Sequence, residues 1–206
     1  KEKISLPMSF AGHPKDINQE NLSYFVDAGL IRVHMGVQTG SQRTKKLYNR
    51  NIPNETILKA VKSIHKFKDS LFASYDVIID NPYETNEDLV DTIKLLLKFP
   101  RPRHVKLFSL VFFSGTELYE KAKQDGILPD EEDLGTYPRD FLNFYYRGKK
   151  YLNFVLLLLS LFIPNFLIKM LINRYIIFLL DRPWINECLF NILAFLKEIR
   201  NKRRNI

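Results

Sequence analysis

The sequence predicts an α/β fold: a parallel sheet forming part of a (β/α) barrel, followed by a mostly helical, apolar C-terminal extension. Two observations predict the first part. Apolar runs begin near residues 4, 31, 72 and 105, and each leads into a stretch of helical periodicity. Repeated βα units of this length build parallel sheets or barrels, and four are too few to close a barrel. A third observation predicts the extension. Residues 149–206 hold ten Lys/Arg against three Asp/Glu, whereas the rest of the chain is close to neutral.

The elements follow in order. Ile4–Phe10, ISLPMSF, reads as the first strand, with Pro7 a blemish. Asn18 can cap a helix whose apolar face is Leu22, Phe25 and Val26, and Gly29 suits its left-handed stop. Ile31–Val37 is the second strand. It runs into a polar turn, Gln38, Thr39, Ser41, Gln42 and Arg43, with Ser41 placed to cap the next helix. Pro53 and Asn54 open a helix with Ile57, Leu58, Val61, Ile64 and Phe67 on one face. Leu71–Asp80 is the third strand, and its alternation puts Ser74, Asp76, Ile78 and Asp80 together. Thr85 and Asp88 form a capping box, and Pro100 and Pro102 end that helix. Val105–Phe113, VKLFSLVFF, is apolar enough for a strand covered on both faces, and a helix around Leu118–Lys123 follows.

The domain organisation reads as a barrel segment over 1–125, an irregular connector over 126–150 and the extension over 151–206. Tyr151–Ile168 carries no charged residue, but Pro164 and Asn165 interrupt it. No uninterrupted span of about 20 apolar residues exists. Three readings of the extension stay open: helices packed on the body, an interfacial amphipathic attachment, and a membrane-spanning or re-entrant hairpin. Arg174 at the centre of a span would cost about 2.5–3.5 kcal/mol, which weighs against the last.

Composition excludes several chemistries. One cysteine, Cys188, allows neither an internal disulfide nor a cysteine-only metal or cluster site made by this chain alone. The histidines, His13, His34, His65 and His104, lack metal-ligand spacing, and no nucleophile elbow or phosphate loop occurs. We expect no metal site and no catalytic residue in this chain. Glu84, Glu87 and Asp88 lie at a helix start, where the dipole favours them without any catalytic role. No basic face interleaved with aromatics marks the body, so nucleic acid is not an expected partner. The basic, apolar tail points instead to a membrane surface or a lipophilic substrate. There is no signal-peptide pattern, and the expected location is cytoplasmic, peripheral to the inner face of the membrane. The chain opens with Lys1 and enters a strand almost at once, so we expect a segment upstream.

Three blocks carry a resemblance: DAGLIRVHMGVQTGSQRTKKLYNR, YDVIIDNPYETNEDLVDTIKLLL and LFSLVFFSGTELYEKAKQDG. In this order and spacing, residues 1 to about 125 resemble the second half of a radical S-adenosylmethionine (radical SAM) core. They are most similar to the subgroup with a cobalamin-binding domain upstream. The resemblance implies strands three to six of a TIM-like partial barrel. In the family a C-x3-C-x2-C loop holds a [4Fe–4S] cluster, which binds S-adenosylmethionine and cleaves it reductively to a 5′-deoxyadenosyl radical. This chain has no such loop, so the cluster and cobalamin would come only from upstream segments, its implied partners.

By the same resemblance Gln38 would face the cosubstrate, Arg50 its methionyl carboxylate and Asp76 its ribose hydroxyls, with Ser41 counted among the cofactor-binding residues. The residue types suit the groups, since a carboxylate accepts two vicinal hydroxyls and a guanidinium pairs with a carboxylate. The bland alternatives are helix capping for Gln38 and Ser41 and a solvated charge for Arg50. Two positions depart from the family. Asp80 stands where Gly is common, and Ala11 stands where related enzymes carry a ligand-contacting carboxylate. The implied function is the C-terminal portion of a radical SAM enzyme of the cobalamin-dependent methyl-transfer type, inactive by itself. The alternative is a non-enzymatic, membrane-associated half-barrel binding module.

Overall fold

The structure is a computed structural model that describes residues 6–128, 150–161 and 163–192. The chain forms two compact units, Lys1–Tyr145 and Tyr146–Ile206. In the first, four strands form one sheet: β1 (Met8–Gly12), β2 (Leu30–Gln38), β3 (Phe72–Ile79) and β4 (His104–Ser109). All neighbours pair in parallel, in the order β1-β2-β3-β4. Between them lie α1 (Gln19–Asp27), α2 (Gln42–Leu47), α3 (Asn54–His65) and α4 (Asn86–Leu97), and α5 (Glu117–Gln124) follows β4. Parallel strands added in sequence order, each after a helical crossover, make a barrel wall rather than a doubly wound sheet, whose strand order would reverse.

The alternation along the strands divides the sheet into two unlike faces. Val33, Met35, Val37, Tyr75, Val77, Ile79, Val105 and Leu107 are buried, as are Ile57, Val61 and Ile64 of α3 and Leu89, Ile93 and Leu96 of α4. These side chains form the core. The intervening residues, His34, Gly36, Gln38, Asp76 and Lys106, are half-buried or exposed and occupy the other face.

Capping follows the sequence closely. Asn18 Oδ1 accepts from Asn21 N at 2.8 Å, Ser41 caps α2, and Thr85 with Asp88 completes the capping box of α4. Two strand ends differ from expectation. Ile4 and Ser5 lie outside the described residues, and the ladder opens at Met8, whose N–H donates to Gly29 O, because Pro7 has no N–H to give. β4 stops at Ser109, not Phe113. Among the described residues it pairs with β3 alone, and that ladder ends at Ile79 and Ser109, just before β3 gives way to Asp80 (φ 59°). Phe113 is accordingly exposed rather than covered on both faces.

The predicted connector falls mostly on residues outside those described. In the second unit α6 (Tyr151–Ser160) buries Leu152, Val155, Leu156 and Leu159. α7 (Asn165–Leu171) and α8 (Arg174–Leu180) follow, and residues 183–192 are helical. Tyr151 Oη donates to Leu171 O at 3.2 Å, and Asp181 Oδ1 accepts from both Tyr151 N and Asn186 Nδ2. Among the described residues, no helix is long and apolar enough to cross a membrane.

Candidate functional site

The carboxyl ends of β2 and β3 meet at Gly36, whose register partner on β3 is Asp76. Arg50 Nη2 donates to Gly36 O at 3.0 Å. A Cβ added at Gly36 would lie 2.5 Å from Gln38 Nε2 and 3.4 Å from Arg50 Nη2, so both side chains sit against this glycine. Gln38, Arg50 and Asp76 therefore converge, although 38 residues of sequence separate the first from the last. Ser41 does not join them. It is 2% exposed; its Oγ accepts from Thr44 N and donates to Asp88 Oδ1.

The convergent groups are incompletely satisfied. Asp76 Oδ1 and Arg50 Nε are buried and have no hydrogen-bond partner. Lys106 is the register partner of Asp76, yet no ion pair joins them; its Nζ lies 3.5 Å from His34 Nδ1. Burial pushes the Asp76 carboxyl above the usual carboxylate range, and Lys106 and His34 partly offset that. Burial also lowers the Arg50 guanidinium. An orphaned carboxylate oxygen on a packed sheet is costly unless something else hydrogen-bonds to it.

The backbone is unusual at the same place. Gln38 (φ 64°) and Asp80 (φ 59°) both adopt the left-handed region, each at the end of its strand. Such conformations disfavour side-chain-bearing residues, and Asp tolerates them better than most. This gives a physical account of Asp80 where the family favours Gly. Its Oδ2 also accepts from Ser109 Oγ at 2.5 Å, which ties β3 to β4.

A dense polar clasp holds the loop in place. Asp88 accepts from Ser41 Oγ, Arg43, Thr85 N and Thr85 Oγ1. Burial alone would raise its pKa, but these bonds together hold it well below the ordinary carboxylate range. Gly40 N donates to Thr92 Oγ1 at 2.8 Å, and a Cβ at Gly40 would lie 2.6 Å from the α4 backbone. The segment bearing Arg50 is held from α2. Lys45, 2% exposed, donates to Ile52 O at 2.7 Å and to Asn54, and burial brings its pKa down to about 8.

In the sequence, His13 and His34 are set aside for lack of metal-ligand spacing, and Lys106 is not singled out. His34 Nδ1 lies 2.7 Å from Ser74 Oγ on the Asp76 side of the sheet. His34 Nδ1 thus lies between the Ser74 hydroxyl and the Lys106 ammonium, which carries only donors. Burial, then Lys106, lowers the His34 pKa; burial, then Arg50, lowers that of His13. The alternation that grouped Asp76 with Ser74 also places His34 and Lys106 on this face.

The carboxyl ends of β2 and β3 thus gather a polar face at the end of the sheet where barrel folds carry their ligand sites. Residues 6–96 match the model of the Radical SAM superfamily. A tRNA-2-methylthio-N(6)-dimethylallyladenosine synthase of Syntrophomonas wolfei subsp. wolfei is 30% identical over 124 residues, 58% of this chain and 26% of that protein. One of the same name from Clostridium perfringens (strain SM101 / Type A) is 35% identical over 85 residues, 40% of this chain and 19% of that protein. The chain thus spans about a fifth to a quarter of the length of these curated relatives. Among solved structures, coproporphyrinogen III oxidase (HemN) from Escherichia coli aligns with a TM-score of 0.49 and 21% identity, over 61% of this chain and 29% of that one. The methyltransferase TsrM from Kitasatospora setae, solved with cobalamin and a [4Fe-4S] cluster bound, aligns with a TM-score of 0.48 and 16% identity, over 58% and 23%.

The family implies S-adenosylmethionine and a [4Fe–4S] cluster. The residues present fit the first in their chemistry, because a carboxylate oxygen of Asp76 and Nε of Arg50 are buried without a partner beside Gly36. They do not fit the second. Among the described residues no three His, Cys, Asp or Glu side chains group as metal ligands, and the chain has one cysteine.

Proposed function

We propose that this chain supplies one wall of a radical SAM cosubstrate site. Asp76 accepts the ribose hydroxyls, Arg50 donates to the methionyl carboxylate, and Gln38 faces the ligand from the end of β2. The carrying observation is the buried, unpartnered Oδ1 of Asp76 beside the glycine that also seats Arg50. Ser41 acts at one remove, holding the loop through Asp88 rather than touching the ligand. Bound beside a reducing [4Fe–4S] cluster held outside this chain, S-adenosylmethionine supplies radical chemistry. The contribution of these residues is to bind and orient it and to hold the methionyl end in place.

For the reaction we infer methyl transfer with cobalamin held by another segment. The three sequence blocks similar to the cobalamin-domain subgroup support this reading. A second reading, methylthiolation of an adenosine in tRNA, is favoured by the names of the curated relatives, and it would make nucleic acid a partner. The test uses the complete product of the gene that encodes this chain, reconstituted anaerobically with iron, sulfide and a reductant. We expect 5′-deoxyadenosine or methylated product from S-adenosylmethionine, reduced at least tenfold by Asp76→Asn. Dependence on added cobalamin separates the first reading from the second, which requires a methylthio product on tRNA. Turnover indifferent to Asp76→Asn would overturn the site assignment, and the absence of any S-adenosylmethionine cleavage would favour the non-enzymatic binding module.

A further inference from the structure

The second unit presents apolar side chains outward in an ordered way. α8, RYIIFLL, has six apolar or aromatic side chains in seven residues and buries none of them. Tyr175, Phe178 and Leu179 are 72%, 74% and 66% exposed and follow the i, i+3, i+4 spacing of a single helical stripe. Phe166 and Met170 make a second exposed pair on α7, at i and i+4, and Trp184 opens the next helical segment with 73% of its surface free. At about 200 Å² per aromatic side chain, the four aromatics alone offer roughly 600 Å², on the scale of patches that mark interaction sites.

Cations frame this stripe. The Arg174 guanidinium lies over the Tyr175 ring at 5.5 Å, and that of Arg182 over Phe178 at 5.2 Å. Arg174 begins α8 and Arg182 lies just past its end, so a cation stands beyond each end of the stripe. Lys169 is exposed on α7. Residues 150–192 contain two acids, Asp181 and Glu187, and Asp181 is engaged by Tyr151 and Asn186.

We propose that α7, α8 and the start of the 183–192 helix form an interfacial attachment to an anionic lipid bilayer. Phe166, Met170, Tyr175, Phe178, Leu179 and Trp184 enter the acyl boundary, while Lys169, Arg174 and Arg182 meet lipid phosphates. Long basic side chains that lie along aromatic rings can bury their stems and keep their heads at the polar level. A second copy of the chain suits the surface poorly, because face-to-face packing would oppose Arg174 and Arg182 to the same cations. The side chains of residues 175–180 offer a protein or nucleic-acid partner one hydrogen-bonding group, the Tyr175 hydroxyl. Among the described residues no helix is long and apolar enough to span a bilayer, and the attachment proposed lies in the plane of the interface.

Trp184, the chain's one tryptophan, is a built-in probe. The full chain is mixed with phosphatidylcholine vesicles and with vesicles of equal parts phosphatidylcholine and phosphatidylglycerol, then floated on a density gradient. The chain should float with the phosphatidylglycerol vesicles and weakly or not at all with the others. Trp184 emission should shift to the blue and be quenched by brominated acyl chains. Phe178→Glu with Leu179→Glu should weaken flotation at least tenfold, with circular dichroism unchanged, since both side chains are already in solvent. Arg174→Gln with Arg182→Gln should remove the preference for anionic lipid. The proposal is overturned by an unmoved Trp184 spectrum or by flotation indifferent to both double variants. It is equally overturned if light scattering finds a dimer that Phe178→Glu dissociates, which would make the face a contact between copies.

Discussion

Asp76 and Asp88 sit about one element apart in the same unit and are opposite cases. Asp88 is saturated: Ser41, Arg43 and Thr85 all donate to it, and its pKa is driven down. Asp76 has a lysine as its register partner but no ion pair with it, keeps one oxygen buried and unpartnered, and has its pKa driven up. A carboxylate used to build the fold is surrounded by donors from its own chain. One held for a ligand is packed in place while its hydrogen-bonding capacity is left over.

The comparison breaks first at Asp88. Asp88→Ala strands Ser41, Arg43 and the start of α4 together. We expect a loss of about 2–3 kcal/mol in urea unfolding, below the range for fully buried pairs because Arg43 is 56% exposed. The two carboxyls also have opposite pH signatures. Asp88, with its folded pKa depressed, stabilises the fold above the unfolded value near 3.8, and that stability is lost as pH falls toward the folded value. Asp76, with its folded pKa raised, costs stability as pH rises from 3.8 through the folded value, so Asp76→Asn should leave neutral-pH stability equal or slightly higher.

Two glycines sharpen the same contrast with a smaller effect. A Cβ at Gly40 would strike backbone atoms of Asp91 and Thr92, whereas one at Gly36 would meet the flexible ends of Gln38 and Arg50. Gly40→Ala should therefore destabilise by about 1–3 kcal/mol, the usual cost of overpacking. Gly36→Ala should leave the unfolding midpoint nearly unchanged and weaken S-adenosylmethionine binding, because Gln38 and Arg50 must swing away. Equal losses of stability in both variants would show that the Gly36 face is ordinary structure.

Much of this was legible in the sequence. Strand alternation and capping residues report local backbone geometry, so the four βα units, the Ser41 cap and the Thr85/Asp88 box were readable before any coordinates. Convergence of Gln38, Arg50 and Asp76 followed from the family blocks; their local surroundings left capping and solvation open. What stayed hidden depends on register between strands. Lys106 faces Asp76 only because β4 pairs with β3 at that offset, and Ser41 turns to Asp88 only because Gly40 lets the loop meet α4. The end of β4 was misjudged for a related reason: VKLFSLVFF is apolar throughout, but a strand stops where its partner turns away.

The most direct test of the central claim is calorimetric titration of the full chain with S-adenosylmethionine, run beside Asp76→Asn, Arg50→Gln and Asp88→Asn with the urea midpoint of each. We predict binding that Asp76→Asn and Arg50→Gln each weaken at least tenfold with unchanged midpoints, while Asp88→Asn lowers the midpoint. Binding that Asp76→Asn and Arg50→Gln leave intact, or a midpoint that falls as far in Asp76→Asn as in Asp88→Asn, would contradict the division between a carboxylate kept for a ligand and one that holds the fold.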